Sequence, residues 1–485
     1  MGFGVVGVVR VVGGVGIVRV IGGAGRGICL LVANKNEGFC LLVANKSVYL
    51  QENWNENEER GGIMSITKET LRTLIQEGQE EIRDVELHER QFEFEENGRY
   101  VLVGVRQAGK SYMLYQRARQ MIREGYRLED IVYINFDDER LIGMTAEELD
   151  LILQAYQAAH SREPILFFDE IQNVEGWEHF ARRLANRKSH VYITGSNAKM
   201  LSRDIQTVLG GRYLDALIYP YSFSEYIGAK GIELEREWQY GSQKAEVQRA
   251  MAEYFAWGGF PELMLFRNKR NWMNGLYEKI LLGDIINRNK VKSEMALRLT
   301  IKRLAENVMQ PISYNRVSNL IRGTGTSVAV SSVSDYVRYA QEACVMFSIS
   351  NYASKFVEKE TVKKHYFVDN GLLSIFLFNG KAALLENLCA IHLRRLYGEG
   401  LCFYNKNVEV DFFVEEESYA VQVSYSIYGE GMEGTYEREV KSLVQLDKFM
   451  SLRRMVIVTY DEEGEVSLDN GKSIEVRPVW KWLLE

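Results

Sequence analysis

Cysteine is scarce in this chain, which has five in 485 residues and no two in a C-x-x-C pair. This scarcity argues against a disulfide framework or a cysteine zinc site, and it favours a reducing, cytoplasmic compartment. Long apolar runs are also missing. Arg10, Arg19 and Arg26 interrupt the Val/Gly-rich N-terminal tract, whereas a membrane helix needs roughly twenty continuous apolar residues. We therefore expect no membrane partner.

An excess of positive charge is lacking as well. The formal net charge of -7 argues against a protein that coats nucleic acid over its whole surface, although a local basic region can still bind DNA. The hydrophobic content of 46% and the charged content of 26% are typical of a folded globular protein rather than a disordered one. A chain of this length has room for several domains.

The first 63 residues differ in character from the rest. They are of low complexity, and the heptapeptide Cys-Leu-Leu-Val-Ala-Asn-Lys occurs twice, at 29–35 and 40–46. We interpret this segment as a disordered tail or a translated upstream extension, with Met64 as the natural start. Ser65 to Thr67 would then cap the first helix.

The most informative motif is Gly-Val-Arg-Gln-Ala-Gly-Lys-Ser, between an apolar strand and a helix. In such a phosphate-binding loop the backbone N–H groups face the phosphates, the lysine adds a positive charge, and the serine hydroxyl binds Mg²⁺. The alternative is a glycine turn without a ligand. We expect ATP to be bound by the loop residues Gly104, Val105, Arg106, Gln107, Ala108, Gly109, Lys110 and Ser111.

A second signature is the apolar run Ile165 to Phe168, followed by Asp169 and Glu170. A buried parallel strand would deliver both carboxylates to the edge of the sheet where ligands bind. We expect Asp169, with Ser111, to hold Mg²⁺, and Glu170 to orient and deprotonate the attacking water. Strand ends also carry charge for no catalytic reason, so the pair has weight only beside the phosphate loop.

Two further residues are candidates for the hydrolytic site. Asn197, or its neighbour Ser196, follows a third strand and would sense the γ-phosphate, but both residue types are also common helix caps. Arg212 lies beside Gly210 and Gly211, where it would act as an arginine finger on the ATP of a neighbouring subunit or would simply be a solvated turn residue.

These motifs give the chain a family resemblance. Together with later segments such as Tyr219 to Glu225, Gly258 to Pro261, Tyr366 to Gly371 and Glu409 to Phe412, they resemble prokaryotic AAA-family ATPases that carry a C-terminal domain of unknown function. That family is similar to archaeal-type AAA ATPases, with a winged-helix element and a restriction-endonuclease-like module behind the motor. The resemblance runs from about Met64 to the C-terminus.

The resemblance implies an α/β fold class: a P-loop AAA-type ATPase domain, then a winged-helix element and a restriction-endonuclease-like α/β domain. The predicted boundaries are 1–63 for the N-terminal extension, 64–230 for the ATPase core, 231–290 for a helical lid or linker, 291–370 for the winged helix and 371–485 for the C-terminal domain.

The middle segment, 288–364, is locally basic, with a surplus of seven positive charges. The winged helix would present Ser332, Ser334, Asp335 and Arg338 on its third helix to a DNA groove. Winged helices also dock proteins, so duplex DNA and a protein partner both remain open.

In the C-terminal domain, the positions of Glu386, Asp411, Gln422 and Ser424 resemble the helix glutamate, the metal-binding aspartate and the E-x-K pair of the restriction-endonuclease-like fold. Strand alternation puts Glu409 and Asp411 on one face. However, a glutamine is a poor Mg²⁺ ligand, and Ser424 cannot supply the ammonium that a lysine provides. We therefore predict a degenerate nuclease fold that does not cut.

The function predicted from the sequence is an enzyme, an ATPase that couples Mg-ATP hydrolysis to the binding of DNA or a protein partner, and it is compatible with a homo-oligomer. The alternative is an ATP-gated DNA nuclease. A small-molecule kinase would share the phosphate loop but would need neither Glu170 nor the later modules.

Overall fold

The computed structural model describes residues 66–485 and, for the backbone alone, five strands between residues 10 and 50. These strands form one antiparallel sheet in chain order. The expectation that residues 1–63 form a disordered tail or a translated upstream extension stays a prediction. The prediction that Met64 is the start lies outside the described residues. The strands are β1 (Arg10–Val12), β2 (Val15–Val18), β3 (Cys29–Asn34), β4 (Gly38–Val43) and β5 (Lys46–Leu50).

Residues 66–485 begin with a helix and a five-stranded parallel sheet. The sheet order is β10-β6-β9-β8-β7, so the strand that precedes the phosphate loop lies beside the strand that ends in Thr194 and Gly195. Every residue of β6, β8 and β9 is buried, as expected for central strands covered on both faces. The strands are β6 (Tyr100–Val103), β7 (Ile131–Asn135), β8 (Ile165–Asp169), β9 (Val191–Gly195) and β10 (Leu214–Leu217).

Five helices accompany this sheet. The first begins where the sequence predicted a cap, since the Thr67 side chain accepts a hydrogen bond from the Thr70 N–H at 3.1 Å. Its buried side packs against β7 and the third helix. The helices are α1 (Lys68–Asp84), α2 (Lys110–Arg123), α3 (Asp150–Gln157), α4 (Trp177–Asn186) and α5 (Arg203–Leu209).

The next segment is helical. Ser222 and Glu225 form a reciprocal capping box at the start of α6, which fixes where that helix begins. The last helix of the segment, α8, continues without a break into a π-helix, Ile280–Asn287. The α-helices are α6 (Phe223–Ala229), α7 (Gln243–Trp257) and α8 (Lys269–Lys279).

Two glycines connect this segment to a later part of the chain. Gly258 has φ +75°, and a Cβ atom there would lie 1.9 Å from Oδ1 of Asp369. The Gly259 N–H donates to Oδ2 of Asp369 at 2.7 Å. Two of the family-like segments, around 258–261 and 366–371, are therefore in direct contact.

Three helices and a small antiparallel sheet follow, with the sheet order β11-β13-β12. This succession has the order of elements expected from the sequence, and its assignment as a winged helix remains a prediction. The sequence pattern predicts helices at 297–309, 315–321 and 331–342, and the helix bounds in the structure differ from these by up to three residues. The elements are α9 (Glu294–Glu306), β11 (Ile312–Ser313), α10 (Tyr314–Arg322), α11 (Val330–Glu342), β12 (Met346–Ser350), α12 (Phe356–Thr361) and β13 (Val362–Phe367).

The C-terminal part has a six-stranded sheet in the order β14-β15-β16-β17-β19-β18. The first three strands are antiparallel neighbours, whereas β17 is parallel to β16 and is reached through a long helix. Among the described residues, no helix is both long and apolar enough for a membrane span. The elements are α13 (Asn370–Ser374), α14 (Lys381–Tyr397), β14 (Leu401–Asn405), β15 (Glu409–Val414), β16 (Tyr419–Val423), α15 (Glu433–Met450), β17 (Arg454–Thr459), β18 (Gly464–Ser467), β19 (Ser473–Pro478) and α16 (Val479–Trp482).

Candidate nucleotide-binding site

The loop from Gly104 to Ser111 joins β6 to α2 at the carboxyl edge of the parallel sheet. Gln107 and Gly109 have φ values of 62° and 91°, a left-handed backbone that turns successive N–H groups inward. Gly104 is needed for packing, because a Cβ atom there would lie 2.0 Å from the Ile218 carbonyl oxygen. The loop therefore has the backbone form of an anion-binding cradle at a helix N-terminus.

Lys110 is the first residue of α2 and is almost completely buried. Its ammonium donates to the carbonyl oxygens of Gly104 and Val105 at 3.2 and 3.3 Å. It also forms an ion pair with Oε1 of Glu170 at 3.4 Å. The positive charge therefore lies under the loop and beside the carboxylate expected to be the base.

Asp169 ends β8 and is only 1% exposed. Hydroxyl groups from two neighbouring strands donate to its carboxylate: Tyr133 at 2.8 Å and Thr194. Burial and the negative charge of Glu170 raise the pKa of Asp169, and these hydrogen bonds limit the rise. Ser111 and Asp169, the two oxygen ligands that the sequence predicted for Mg²⁺, line the same cavity.

Glu170 follows with φ 52°, a left-handed conformation that turns its side chain back toward the loop. Its carboxylate accepts hydrogen bonds from the Gln172 amide and from the Ser196 N–H, the latter at 3.2 Å. Burial alone would raise the pKa of Glu170, but the Lys110 ammonium and these hydrogen bonds hold that pKa below its usual value. The group is thus kept ionised, as a general base must be.

These side chains line one cavity of about 570 Å³, which lies within the size range of small-molecule sites. Its lining includes phosphate-loop residues, both carboxylates and the segment 261–265, which the sequence analysis did not assign to the site. Other lining residues that were missed are Glu86, His88, Arg90, Tyr112, Gln116, Asn135, Asp137, Tyr221, Ala229 and Lys279. No local motif marks them, since they reach the cavity from six separate stretches of chain.

Arg90 connects the phosphate loop to α6. Its guanidinium makes two hydrogen bonds of 2.8 Å to the carboxylate of Glu225 and donates to the Ala108 carbonyl oxygen at 3.3 Å. The same carboxylate lies 3.8 Å from Nη1 of Arg395 on α14. A chain of charged groups therefore runs from the phosphate loop to the helix that carries Glu386.

Arg106 makes a second connection. Its Nε and Nη2 donate to the two carboxylate oxygens of Asp284 at 2.9 and 3.0 Å, and its Nη1 lies 4.0 Å from Oδ2 of Asp137. Asp284 belongs to the π-helix and is only 3% exposed. The sequence identified Arg106 as part of the loop but could not identify a partner 178 residues away.

Asn197 serves as a helix cap in this structure. Its side-chain oxygen accepts a hydrogen bond from the Lys199 N–H at 2.8 Å, at the start of the short helix Ala198–Leu201. Asn197 is not among the residues that line the cavity, whereas the backbone of Ser196 contacts Glu170. A γ-phosphate sensor at Asn197 remains a prediction, and of the two residues Ser196 is the one beside the base.

Arg212 lies at the opposite edge of the sheet from the phosphate loop. It precedes β10, whose first residue, Leu214, pairs with Tyr100 at the start of β6. Its exposed guanidinium donates to the carbonyl oxygen of Gly210 at 3.1 Å. The structure therefore does not bring Arg212 to the site of its own chain, and a role on a neighbouring subunit remains a prediction.

The basic middle segment is less free than its composition indicates, because acidic side chains pair with many of its cations. On α11, Arg338 binds both Asp335 and Glu342, so two of the residues expected to face DNA are bound to each other. Lys302 on α9 remains exposed. Other paired cations are Arg288, Arg298, Arg303, Lys363 and Lys364.

A second lysine–carboxylate cluster lies in the C-terminal part. The ammonium of Lys364, on β13, lies 3.1 Å from Oε1 of Glu386 and 3.0 Å from Oδ1 of Asp411. The Tyr366 hydroxyl also donates to Glu386 at 2.7 Å. Sequence reasoning sought an ammonium at 424 and missed this one, because Lys364 lies on a strand outside the C-terminal sheet.

The pKa values of Lys364 and Glu386 in this cluster are strongly shifted. Burial raises the pKa of Glu386 to about 8, even with the ammonium beside it. Burial alone would lower the pKa of Lys364, but the two carboxylates outweigh it and raise that pKa. These two raised pKa values favour the charged form of Lys364 and the protonated form of Glu386 near neutral pH.

The remaining nuclease-motif residues do not complete a metal site. Gln422 is buried, accepts from the Asp411 N–H and donates to Glu439, while the Ser424 hydroxyl donates to the Ser426 carbonyl oxygen in a turn. The Glu409 side chain is exposed. Across residues 66–485 there is no group of three or more His, Cys, Asp or Glu side chains that could hold a metal ion.

Two family models match the chain. Residues 96–227 match the family described as an AAA domain. The matched segment contains the phosphate loop, Asp169 and Glu170. Residues 248–382 match a family described only as a domain of unknown function.

Two relatives are similar over most of their length. An uncharacterized protein of Methanocaldococcus jannaschii is 31% identical over 398 residues, which cover 79% of this chain and 88% of the relative. An uncharacterized protein of Haemophilus influenzae is 30% identical over 399 residues, covering 79% and 94%.

Solved structures show weaker likeness. The Walker-type ATPase of Pyrococcus abyssi is 15% identical with a TM-score of 0.37, covering 64% of this chain and 95% of that chain. The ORC1 protein of Aeropyrum pernix, solved in complex with DNA, is 13% identical with a TM-score of 0.28, covering 67% and 93%.

Proposed function

This chain belongs to one family with its Methanocaldococcus and Haemophilus relatives and carries an AAA domain. From that premise we propose that it hydrolyses Mg-ATP and uses the hydrolysis cycle to control the binding of DNA or a protein partner. The observation that carries the proposal is the meeting of Lys110, Asp169 and Glu170 in one cavity beneath an anion-binding loop.

The residues suit the reaction. The Glu170 carboxylate takes a proton from water, the water oxygen bonds to the γ-phosphorus, and the bond from that phosphorus to the β–γ bridging oxygen breaks to give ADP and phosphate. Lys110 and the loop N–H groups bind the phosphates. Ser111 and Asp169 offer oxygen ligands, which Mg²⁺ prefers, and the ion would neutralise phosphate charge.

The test separates binding from hydrolysis. Lys110→Ala should abolish ATP binding because it removes the charge under the loop. Glu170→Gln should bind ATP but hydrolyse it about 10²- to 10⁴-fold more slowly, because an amide cannot accept the proton. Equilibrium binding and phosphate release are measured on each purified protein. Normal phosphate release by Glu170→Gln would contradict the assignment of the base.

Coupling to a partner is supported by the charged connection through Arg90, Glu225 and Arg395. Arg90 donates to a phosphate-loop carbonyl, so a shift of the loop on ATP binding would move a carboxylate that faces α14. Glu225→Gln should therefore weaken the dependence of partner affinity on ATP, while leaving ATP binding within a few-fold of wild type. An unchanged ATP dependence would exclude this route.

Duplex DNA is the first partner to test, through the exposed part of segment 288–364. A cation that binds one DNA phosphate adds about 0.9 to the steepness of log K against log salt, so Lys302→Glu with Arg303→Glu should weaken binding and flatten the slope. The matched control is Lys441→Glu with Lys448→Glu, on α15. No binding at low salt would favour a protein partner.

An oligomeric site is a further part of the proposal. If Arg212 acts on a neighbouring chain, Arg212→Ala should slow hydrolysis by about 10³-fold or more, and mixing it with Glu170→Gln should restore part of the activity. A full rate that does not depend on protein concentration would contradict this role.

The nuclease alternative is not favoured. The Lys364 ammonium lies between Glu386 and Asp411, so a divalent cation would have to displace a buried charge to reach the carboxylates. We propose that the C-terminal domain, which we interpret as restriction-endonuclease-like, assembles or binds rather than cuts.

A further inference from the structure

We propose that Arg106 is a catalytic residue that contacts the γ-phosphoryl group of ATP bound to its own chain, and that Asp284 is the residue that positions it. This inference rests on the proposed ATPase function, and it gives the phosphate loop an arginine of its own that acts whether or not Arg212 of a second chain also contributes.

Arg106 is already at the site. It lies four residues before Lys110 in the phosphate loop, and it lines the same cavity as Lys110 and Glu170. Its side chain is 24% exposed, so the guanidinium is at the cavity wall rather than sealed within the core. Arg212, in contrast, lies at the other edge of the sheet.

The guanidinium is held by one side and available on the other. Asp284 accepts from Nε and Nη2, which fixes the plane of the group by two parallel bonds. Among the contacts of the described residues, Nη1 has only the 4.0 Å ionic contact with Asp137 and no hydrogen bond. An arginine with a fixed plane and free N–H donors is suited to bind a phosphoryl group.

The chemistry gives this donor its value. As water attacks, negative charge shifts over the equatorial γ-oxygens and the bridging oxygen, and a cation within reach stabilises that charge more than it stabilises bound ATP. The Lys110 ammonium already contacts Glu170 and two loop carbonyl oxygens. A second cation can therefore stabilise charge on the γ-phosphoryl oxygens that Lys110 does not neutralise. No additional reactant is needed.

Asp284 has no other evident reason to be charged and buried. It lies on a π-helix, it is 3% exposed, and its only cationic contacts within residues 66–485 are Arg106 and Arg288, the latter at 3.5 Å. A buried carboxylate is costly unless it is paired, and here the pairing holds the phosphate-loop arginine. Segments of π-helix often occur at functional sites.

The test measures single-turnover hydrolysis at saturating Mg-ATP and, separately, equilibrium binding of a fluorescent N-methylanthraniloyl-ATP. Arg106→Ala should slow hydrolysis by about 10³-fold, with binding changed far less. Arg106→Lys should be nearly as slow, because an ammonium cannot keep the two-bond contact with Asp284. Free guanidinium at low concentration should restore part of the activity of Arg106→Ala and none of that of Arg106→Lys.

Asp284→Asn tests the positioning role. It should slow hydrolysis by up to about 10²-fold, because the guanidinium loses its fixed plane. The double variant with Arg106→Ala should be no slower than Arg106→Ala alone, since Asp284 acts through that arginine. Additive effects would show that Asp284 is merely structural and would overturn its assignment.

The outcomes are distinguishable. If the wild-type protein hydrolyses ATP and Arg106→Ala does so at the same rate, the inference fails and the proposed function stands. If the wild-type protein does not hydrolyse ATP, both fail. Restoration of Arg106→Ala activity by mixing with Glu170→Gln would show action on a neighbouring chain and would overturn the cis role. The matched control is the surface pair Arg183→Ala with Asp150→Asn, which should change neither measurement.

Discussion

Within residues 66–485, Lys110 with Asp169 and Glu170 can be compared with Lys364 with Glu386 and Asp411, because each cluster has one lysine and two carboxylates but a different environment around the lysine. Lys110 lies under a loop with left-handed residues and beside a cavity of about 570 Å³. Lys364 lies on β13 and is fully buried, and its ammonium contacts Glu386 on α14 and Asp411 on β15. Glu386 is only 2% exposed. The same charged groups thus form a ligand site in one place and an internal contact in the other, and access and backbone amides account for the difference.

The largest effect should come from breaking the buried cluster. Lys364→Ala leaves the Asp411 carboxylate without its cation, and removing one partner of a buried ion pair typically costs about 3–5 kcal/mol. Urea unfolding would measure this destabilisation. The matched control is the neighbouring Lys363→Ala, whose partly exposed pair with Glu360 should be worth less than about 1 kcal/mol. Equal free energies of unfolding for the two variants would contradict the claim that Lys364 forms a buried ion pair on which stability depends.

ATP should separate the two lysines in the opposite direction. A ligand at about 100 times its Kd stabilises the folded protein by about 2.7 kcal/mol. We expect that gain for the wild type and for Lys364→Ala, measured against each protein without ATP, and no gain for Lys110→Ala. Thermal or urea unfolding with and without Mg-ATP is the measurement. A gain in Lys110→Ala would mean that ATP binds elsewhere.

The pH dependence of stability should report the shifted carboxyl. Burial raises the pKa of Glu386 to about 8, whereas an unfolded glutamate titrates near about 4.3. Because the folded value is the higher one, the group lowers stability progressively as pH rises between these two values. Glu386→Gln removes this titratable group and should flatten the dependence of stability on pH between those two values. Identical slopes for the wild type and Glu386→Gln would contradict a protonated Glu386.

The smallest expected effect is on DNA cleavage. Plasmid nicking with Mg²⁺ or Mn²⁺, with and without ATP, should be absent in both the wild type and Asp411→Ala, because the ammonium lies where the metal would be needed. Cleavage by the wild type that disappears in Asp411→Ala would make the two clusters alike, both open to a ligand, and would restore the nuclease alternative.

Much of the nucleotide site was predictable because its signals are local. The loop, the Asp169–Glu170 pair and the Thr67 cap each depend on residues within a few positions of one another. The contacts that the sequence could not provide join distant stretches: Arg106 with Asp284, Arg90 with Glu225, and Lys364 with Asp411. The position of Arg212 could not be predicted from the sequence for the same reason, because it depends on the pairing of β10 with β6 at the far edge of the sheet.

The winding of the π-helix before the basic segment determines whether Asp284 faces the phosphate loop. A π-helix is rare and occurs mostly as a short segment within α-helices, frequently at functional sites. Deleting one residue within Ile280–Asn287 would restore ordinary winding and turn Asp284 away from the phosphate loop. A change in the length of this segment would therefore alter the contact between Asp284 and Arg106 even where the rest of the fold is kept.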